Sequence, residues 1–138
     1  MVAFIKKLLC VSLALLSLYG CKNISEEYPE PPTKDEVVDL YMLYTDMNEE
    51  DEEDFLRAIY SCHNKPQEYC NQMLTLRKQY KRELEKETGG IISVDIDHVE
   101  RHNHGKMLNI FLNVCYKNQS TEEVLFPLIH VDNKWYIR

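Results

Sequence analysis

The hydrophobic period of this chain changes once, at Gly89-Gly90, and that change decides the class of fold open to it. Before the glycine pair, apolar residues recur at helical spacing; after it they alternate. Val37, Leu40, Tyr41, Tyr44 and Met47 share one face of a helix of about 14 residues. Thr33-Lys34-Asp35-Glu36 opens that helix as a capping box, with Thr33 at the N-cap and Glu36 three residues on. Asn48 is placed to cap a second helix with Phe55, Leu56, Ile59 and Tyr60 on its buried face. Cys62 to Lys65 break the pattern, and Pro66 takes the first position of a third, long helix. Its stripe is Tyr69, Met73, Leu76, Tyr80 and Leu84, with a solvated mixed-charge face from Arg77 to Glu87. Gly89 ends it, because the residue after a helix favours a left-handed backbone.

Beyond Gly90, Ile92, Val94, Ile96 and His98 alternate with Ser93, Asp95 and Asp97, as on a half-buried strand. Asn103 to Lys106 turn the chain into Leu108, Ile110, Leu112, Val114 and Tyr116, one face of a second strand. Asn118 to Thr121 turn it again into Val124–Val131, apolar on both faces and hence central or covered. Asp132-Asn133 is a tight turn into the last strand, Lys134 to Arg138. Helices followed by a strand meander give an α+β class and leave no room for parallel crossovers. The expected architecture is three N-terminal helices packed on an antiparallel sheet of about four strands.

The N-terminus reads as an address. Lys6-Lys7 precede an apolar run from Leu8 to Leu18, the size of a signal-peptide core and too short for a bilayer span of roughly 20 residues. Leu18-Tyr19-Gly20-Cys21 resembles the bacterial lipobox, in which cleavage before the cysteine is followed by its acylation. The resemblance implies a signal peptide over 1–20, lipidation of Cys21 and attachment to a membrane. Lys22 after the cysteine implies the outer membrane, facing the periplasm, since an Asp there favours retention at the inner membrane in enteric bacteria. Residues 21–32 carry the lipidated cysteine and a Pro/Glu-rich tether, able to hold a domain roughly 30 Å from the lipid. The single domain is expected over 33–138.

Gly89-Gly90-Ile91, Val114-Cys115-Tyr116-Lys117 and Val131-Asp132-Asn133-Lys134-Trp135-Tyr136-Ile137 carry a second resemblance. Together with the helix-then-sheet order, they resemble the nuclear-transport-factor-2-like (cystatin-like) superfamily, and within it small bacterial lipoproteins. The resemblance implies a curved, cone-like sheet with a pocket between sheet and helices. It implies no particular reaction, because this scaffold hosts isomerases, dehydratases and plain binding modules.

Charge narrows the partners. Lys6 and Lys7 are the only charged residues of the first 20, so the formal charge moves from −7 for the whole chain to −9 without them. A chain this acidic has no field to replace phosphate counterions, which argues against nucleic acid. The acidity is one-sided: residues 33–64 hold two basic and ten acidic side chains. Six carboxylates run without interruption through Glu49, Glu50, Asp51, Glu52, Glu53 and Asp54. They sit at a helix start, where they favour the positive dipole end, and they offer a docking surface for a basic partner. The run lacks the alternation and the glycine of a calcium loop.

Cys62 and Cys70 flank the break between helices two and three and form a candidate disulfide in an oxidising compartment, leaving Cys115 as a small core thiol whose strand parity, opposite to Val114, also allows partial exposure. His98, Glu100 and His102 would share a strand face, but their spacing matches no known metal set, so no metal and no cofactor is expected. Asp39, Tyr41, Tyr44, Asp46 and Asp95 supply the residue types of an isomerase pocket without a fixed geometry, so no catalytic residue is expected. The expected function is a non-enzymatic, lipid-anchored envelope protein that binds another protein, as an immunity or inhibitor protein does, or a small ligand. The alternatives are a small pocket enzyme and a structural part of an envelope secretion or conjugation assembly.

Overall fold

In a computed structural model the described residues are 28–138, and Pro31–Arg138 form one compact unit. Cys21 and the signal segment lie outside the described residues. Helix α1 spans Lys34–Thr45. Its capping box is present: the Glu36 N–H donates to Thr33 Oγ1 and the Thr33 N–H to Glu36 Oε2, each at 3.2 Å. The helix is slightly shorter than expected and ends where the Asp46 N–H donates back to the Met42 carbonyl at 2.7 Å. A 3₁₀ turn, Glu49–Asp51, leads into the short helix α2, Glu52–Ala58. Ile59 then turns extended and pairs in parallel with Ile137, so the helical segment joins the edge of the sheet. A second 3₁₀ turn, Tyr60–Asn64, precedes helix α3, Gln67–Thr88. Pro66 is its cap rather than its first residue.

The expected stripe of α3 is corrected. Tyr69, Leu76 and Tyr80 are exposed, Leu76 to 64%, while Cys70 and Leu74 are buried and Met73 and Leu84 half-buried. The buried face is rotated so that Arg77 and Lys81, expected in solvent, turn toward α1. At Gly89 the backbone is left-handed, with φ of 81°, and an added Cβ would lie 3.1 Å from the Lys117 Cβ. Glycine ends α3 there without strain and lets β2 approach.

The sheet is a four-stranded antiparallel meander, β1 (Ile91–His102), β2 (Met107–Tyr116), β3 (Thr121–Val131) and β4 (Lys134–Ile137), in sequence order. The β2 face is as expected: Leu108, Ile110, Leu112, Val114 and Tyr116 are all buried. The β1 face is corrected. Register shifts between Ile91 and Ser93 and between Ile96 and His98 reset the alternation. An extra residue in a strand turns its successors to the other face and bends the strand. Val94 is therefore buried, Ile92 is 64% exposed, and His98 is exposed, stacked on Phe111 with ring centroids 4.1 Å apart. Asp132 and Asn133 both have positive φ, 49° and 62°, as a two-residue hairpin turn requires.

One face of the sheet packs against the helices. Phe126, Leu128, Ile110, Leu112 and Ile137 meet Val37, Tyr41, Met47, Phe55, Ile59 and Leu74 in a single core. Tyr41 packs edge-on to Phe126 at 5.3 Å, and Tyr44 stacks on Phe55 at 6.2 Å. Phe55 and Phe126 are essentially inaccessible, and each contributes about 3–5 kcal/mol relative to alanine. Among the described residues, no helix is long and apolar enough to cross a membrane.

Candidate functional site: an acidic surface and its neighbours

The six carboxylates of the acidic run do not act alike. The Asn48 N–H donates to Asp51 Oδ2 at 3.0 Å, which closes the 3₁₀ turn. Glu52 pairs with Lys78 of α3. Asp54 accepts from Arg57 at 2.8 Å within α2. Glu49, Glu50 and Glu53 are exposed and make no ion pair among the described residues. Sequence reasoning located the run but could not separate these groups, because one of the compensating cations lies on α3.

Two other cations of α3, Arg77 and Lys81, complete α1. Its last turn carries no basic residue. Arg77 Nε donates to the Tyr44 carbonyl at 3.0 Å, with its guanidinium 3.7 Å from the Tyr44 ring centroid and 4.4 Å from that of Tyr80. Lys81 Nζ donates to the Met47 carbonyl at 3.3 Å and Asn48 Oδ1 at 3.0 Å, and pairs with Asp46 at 3.3 Å. The unpaired carbonyls and partial negative charge of a helix C-terminus are met by cations from another helix.

A groove of about 430 Å³ lies beside α1, lined by Glu36, Asp39, Leu40, Leu43, Lys134 and Trp135 among others. It joins an apolar floor to two carboxylates. On the core side of the sheet, the Tyr116 hydroxyl donates to Glu122 Oε2 at 2.7 Å. Burial and the Glu122 carboxylate raise the Tyr116 hydroxyl above its ordinary range, and burial raises that of Tyr41. The isomerase-type residues do not converge: Asp46 pairs with Lys81, Asp95 with Lys34 at 2.7 Å, and Asp39 lines the groove.

On the uncovered sheet face, His98, Glu100 and His102 pair across to Phe111, Asn109 and Met107 and follow the strand without meeting at a point. His98 instead contacts Asp97 at 2.6 Å, His102 contacts Glu100 at 3.6 Å, and ligand atoms of Asp97, His98 and Glu123 lie within 4.8 Å of one another. This exposed trio combines a bulge residue with a residue two strands away, which no spacing along the chain reveals. Cys62 and Cys70 lie together, the Cys70 thiol donating to the Cys62 carbonyl at 3.6 Å. Cys115 is half-buried on the uncovered face, between Ser93 and Thr121.

No protein-family model and no curated protein sequence matches the chain. Among solved structures, the chain is similar to that of a candidate NTF2-like transpeptidase from Campylobacter jejuni. The two are 17% identical, with a TM-score of 0.54, over 70% of this chain and 87% of that one. Similarity at that identity concerns architecture, not chemistry. Three helices packed on a four-stranded antiparallel sheet, in the order found here, give this chain the NTF2-like fold.

Proposed function

We propose that this chain is a lipid-anchored bacterial cell-envelope protein, held through Cys21 at the outer membrane, that binds a basic protein partner without catalysing a reaction. The observation that carries the reading is the division within the acidic run. Glu49, Glu50 and Glu53 stay exposed and make no ion pair among the described residues, while Asp51, Glu52 and Asp54 are satisfied by the fold. Unpaired carboxylates packed this closely repel one another, and a cationic partner relieves that repulsion while being steered toward it. Inhibition of a basic envelope-acting toxin is one concrete form of such binding.

The test is a photo-crosslinking residue at Glu50 in the full-length chain, expressed in its own envelope. A discrete adduct, lost when Glu49 and Glu53 become glutamine, supports the reading. No adduct, or an adduct indifferent to those changes, overturns it. The anchor is tested separately: Cys21→Ser should abolish lipid attachment, and globomycin should block processing.

A second reading, a small pocket enzyme, is favoured by one contact, the Tyr116 hydroxyl on the Glu122 carboxylate. It predicts a substrate-dependent activity abolished by Tyr116→Phe with the fold intact.

A further inference from the structure

We propose that Cys62 and Cys70 are a disulfide-forming pair that ties the 3₁₀ turn to the first turn of α3, with Cys115 left as a thiol. Cys62 belongs to the turn Tyr60–Asn64, and Cys70 to the opening turn of α3. The Cys70 sulfur is 3.6 Å from the carbonyl oxygen of Cys62. The Cys70 thiol also lies alongside that of Cys62, so the two sulfurs occupy neighbouring positions, as a bridge requires.

Among the described residues, which hold three cysteines, geometry also selects this pair over the other two pairings. Ile59, three residues before Cys62, bridges Ile137, which is level with Leu128 and Leu108. Cys115 lies seven residues farther along β2 than Leu108, roughly 23 Å away at strand rise. It also sits on the face of the sheet opposite the core. Neither Cys62 nor Cys70 reaches it in the folded chain.

Oxidation needs an acceptor, and a small disulfide such as oxidised glutathione supplies it. Cys62 is half-buried and Cys70 buried, so Cys62 meets the oxidant first. Its thiolate attacks one glutathione sulfur, the glutathione disulfide breaks, and one glutathione leaves as thiolate. The Cys70 thiolate then attacks the Cys62 sulfur of the mixed disulfide and displaces the second glutathione. One disulfide is consumed, one forms, and two protons go to the departing thiolates. Burial, with the Cys70 thiol alongside, pushes the Cys62 thiol up to about 12. Thiolate is scarce at neutral pH, so closure is slow there and quickens as pH rises. Such a pair suits a lasting staple more than a rapid exchange catalyst.

Closure of the pair is independent of the envelope location when the oxidant is supplied directly. Folded full-length chain is incubated with oxidised glutathione, unreacted thiols are alkylated, and the protein is digested after glutamate. Cleavage at Glu68 separates the two cysteines. The expected result is one cross-linked peptide pair, lighter by two hydrogen atoms than the two peptides together, with Cys115 recovered alkylated. Recovery of both cysteines alkylated, a stable glutathione adduct on Cys62, or a link from either to Cys10, Cys21, Cys115 or a second chain overturns the proposal.

Discussion

Arg77 of α3 completes the last turn of α1 at Tyr44, donating to its carbonyl across 3.0 Å while lying 3.7 Å from its ring centroid. One side chain therefore satisfies a helix-end acceptor and a π face together, in a partly buried setting. Arg77→Ala should destabilise the domain by about 2 kcal/mol, read as a lower Tm or denaturant midpoint. Arg77→Lys should recover less than half of the loss, because an ammonium has no planar face to lay on the ring. Full rescue by lysine would show that charge alone matters here.

The three unpaired carboxylates should be dispensable for folding. Glu49→Gln, Glu50→Gln and Glu53→Gln in combination should leave Tm unchanged or slightly raised at low salt, since like-charge repulsion is removed. Asp51→Asn, by contrast, weakens the acceptor that closes the 3₁₀ turn at Asn48, and should lower stability by about 0.5–1 kcal/mol. Thermal melts at two salt concentrations separate these outcomes.

Alkaline pH should unfold the domain through its buried tyrosines. The Tyr41 and Tyr116 hydroxyls are raised from the ordinary value of 10.0, chiefly by burial. Above pH 10 the unfolded chain loses these protons while the folded chain keeps them. The unfolded state then binds fewer protons, and stability falls as pH rises. Below pH 10 the contribution is fully present. Tyrosinate absorbance should therefore show two hydroxyls that titrate only with unfolding, and Tyr116→Phe should remove one of them. Smooth titration of every tyrosine without loss of the fold would contradict the burial.

Gly89→Ala should cost about 1–2 kcal/mol. The φ of 81° suits glycine, and the new methyl would press on the Lys117 Cβ at 3.1 Å. Gly89→Asn, which tolerates the left-handed region better, should cost less at the backbone while meeting the same contact. Denaturant midpoints rank the two.

Reduction of the Cys62–Cys70 bridge should lower stability by about 2–3 kcal/mol on loop-closure grounds, a drop in Tm on the order of 10 °C. A melt of oxidised against reduced protein measures it.

Much of this protein is legible in local sequence. Thr33 and Glu36 cap α1, Gly89 ends α3, Asp132-Asn133 turns the last hairpin, and β2 buries the alternation that it advertises. Each is decided by residues within one turn or one strand, where backbone sterics and period suffice. The acidic run was visible too, and so was the proximity of Cys62 to Cys70. What the tertiary structure decided are the features that join distant segments. Leu76 and Tyr80 are apolar enough for a core, yet α3 rotates them outward and turns Arg77, Lys78 and Lys81 inward. In that orientation α3 answers the end of α1, which has no cation of its own: its carbonyls, Asp46 and Glu52 all meet charges from α3. Two bulges in β1 likewise move Ile92 and His98 out of the face that simple alternation assigns them. Period and caps determine which elements form, but contacts between elements, namely the shared apolar core, the bulges of β1 and the helix-end carbonyls met from α3, decide which face of each element is buried.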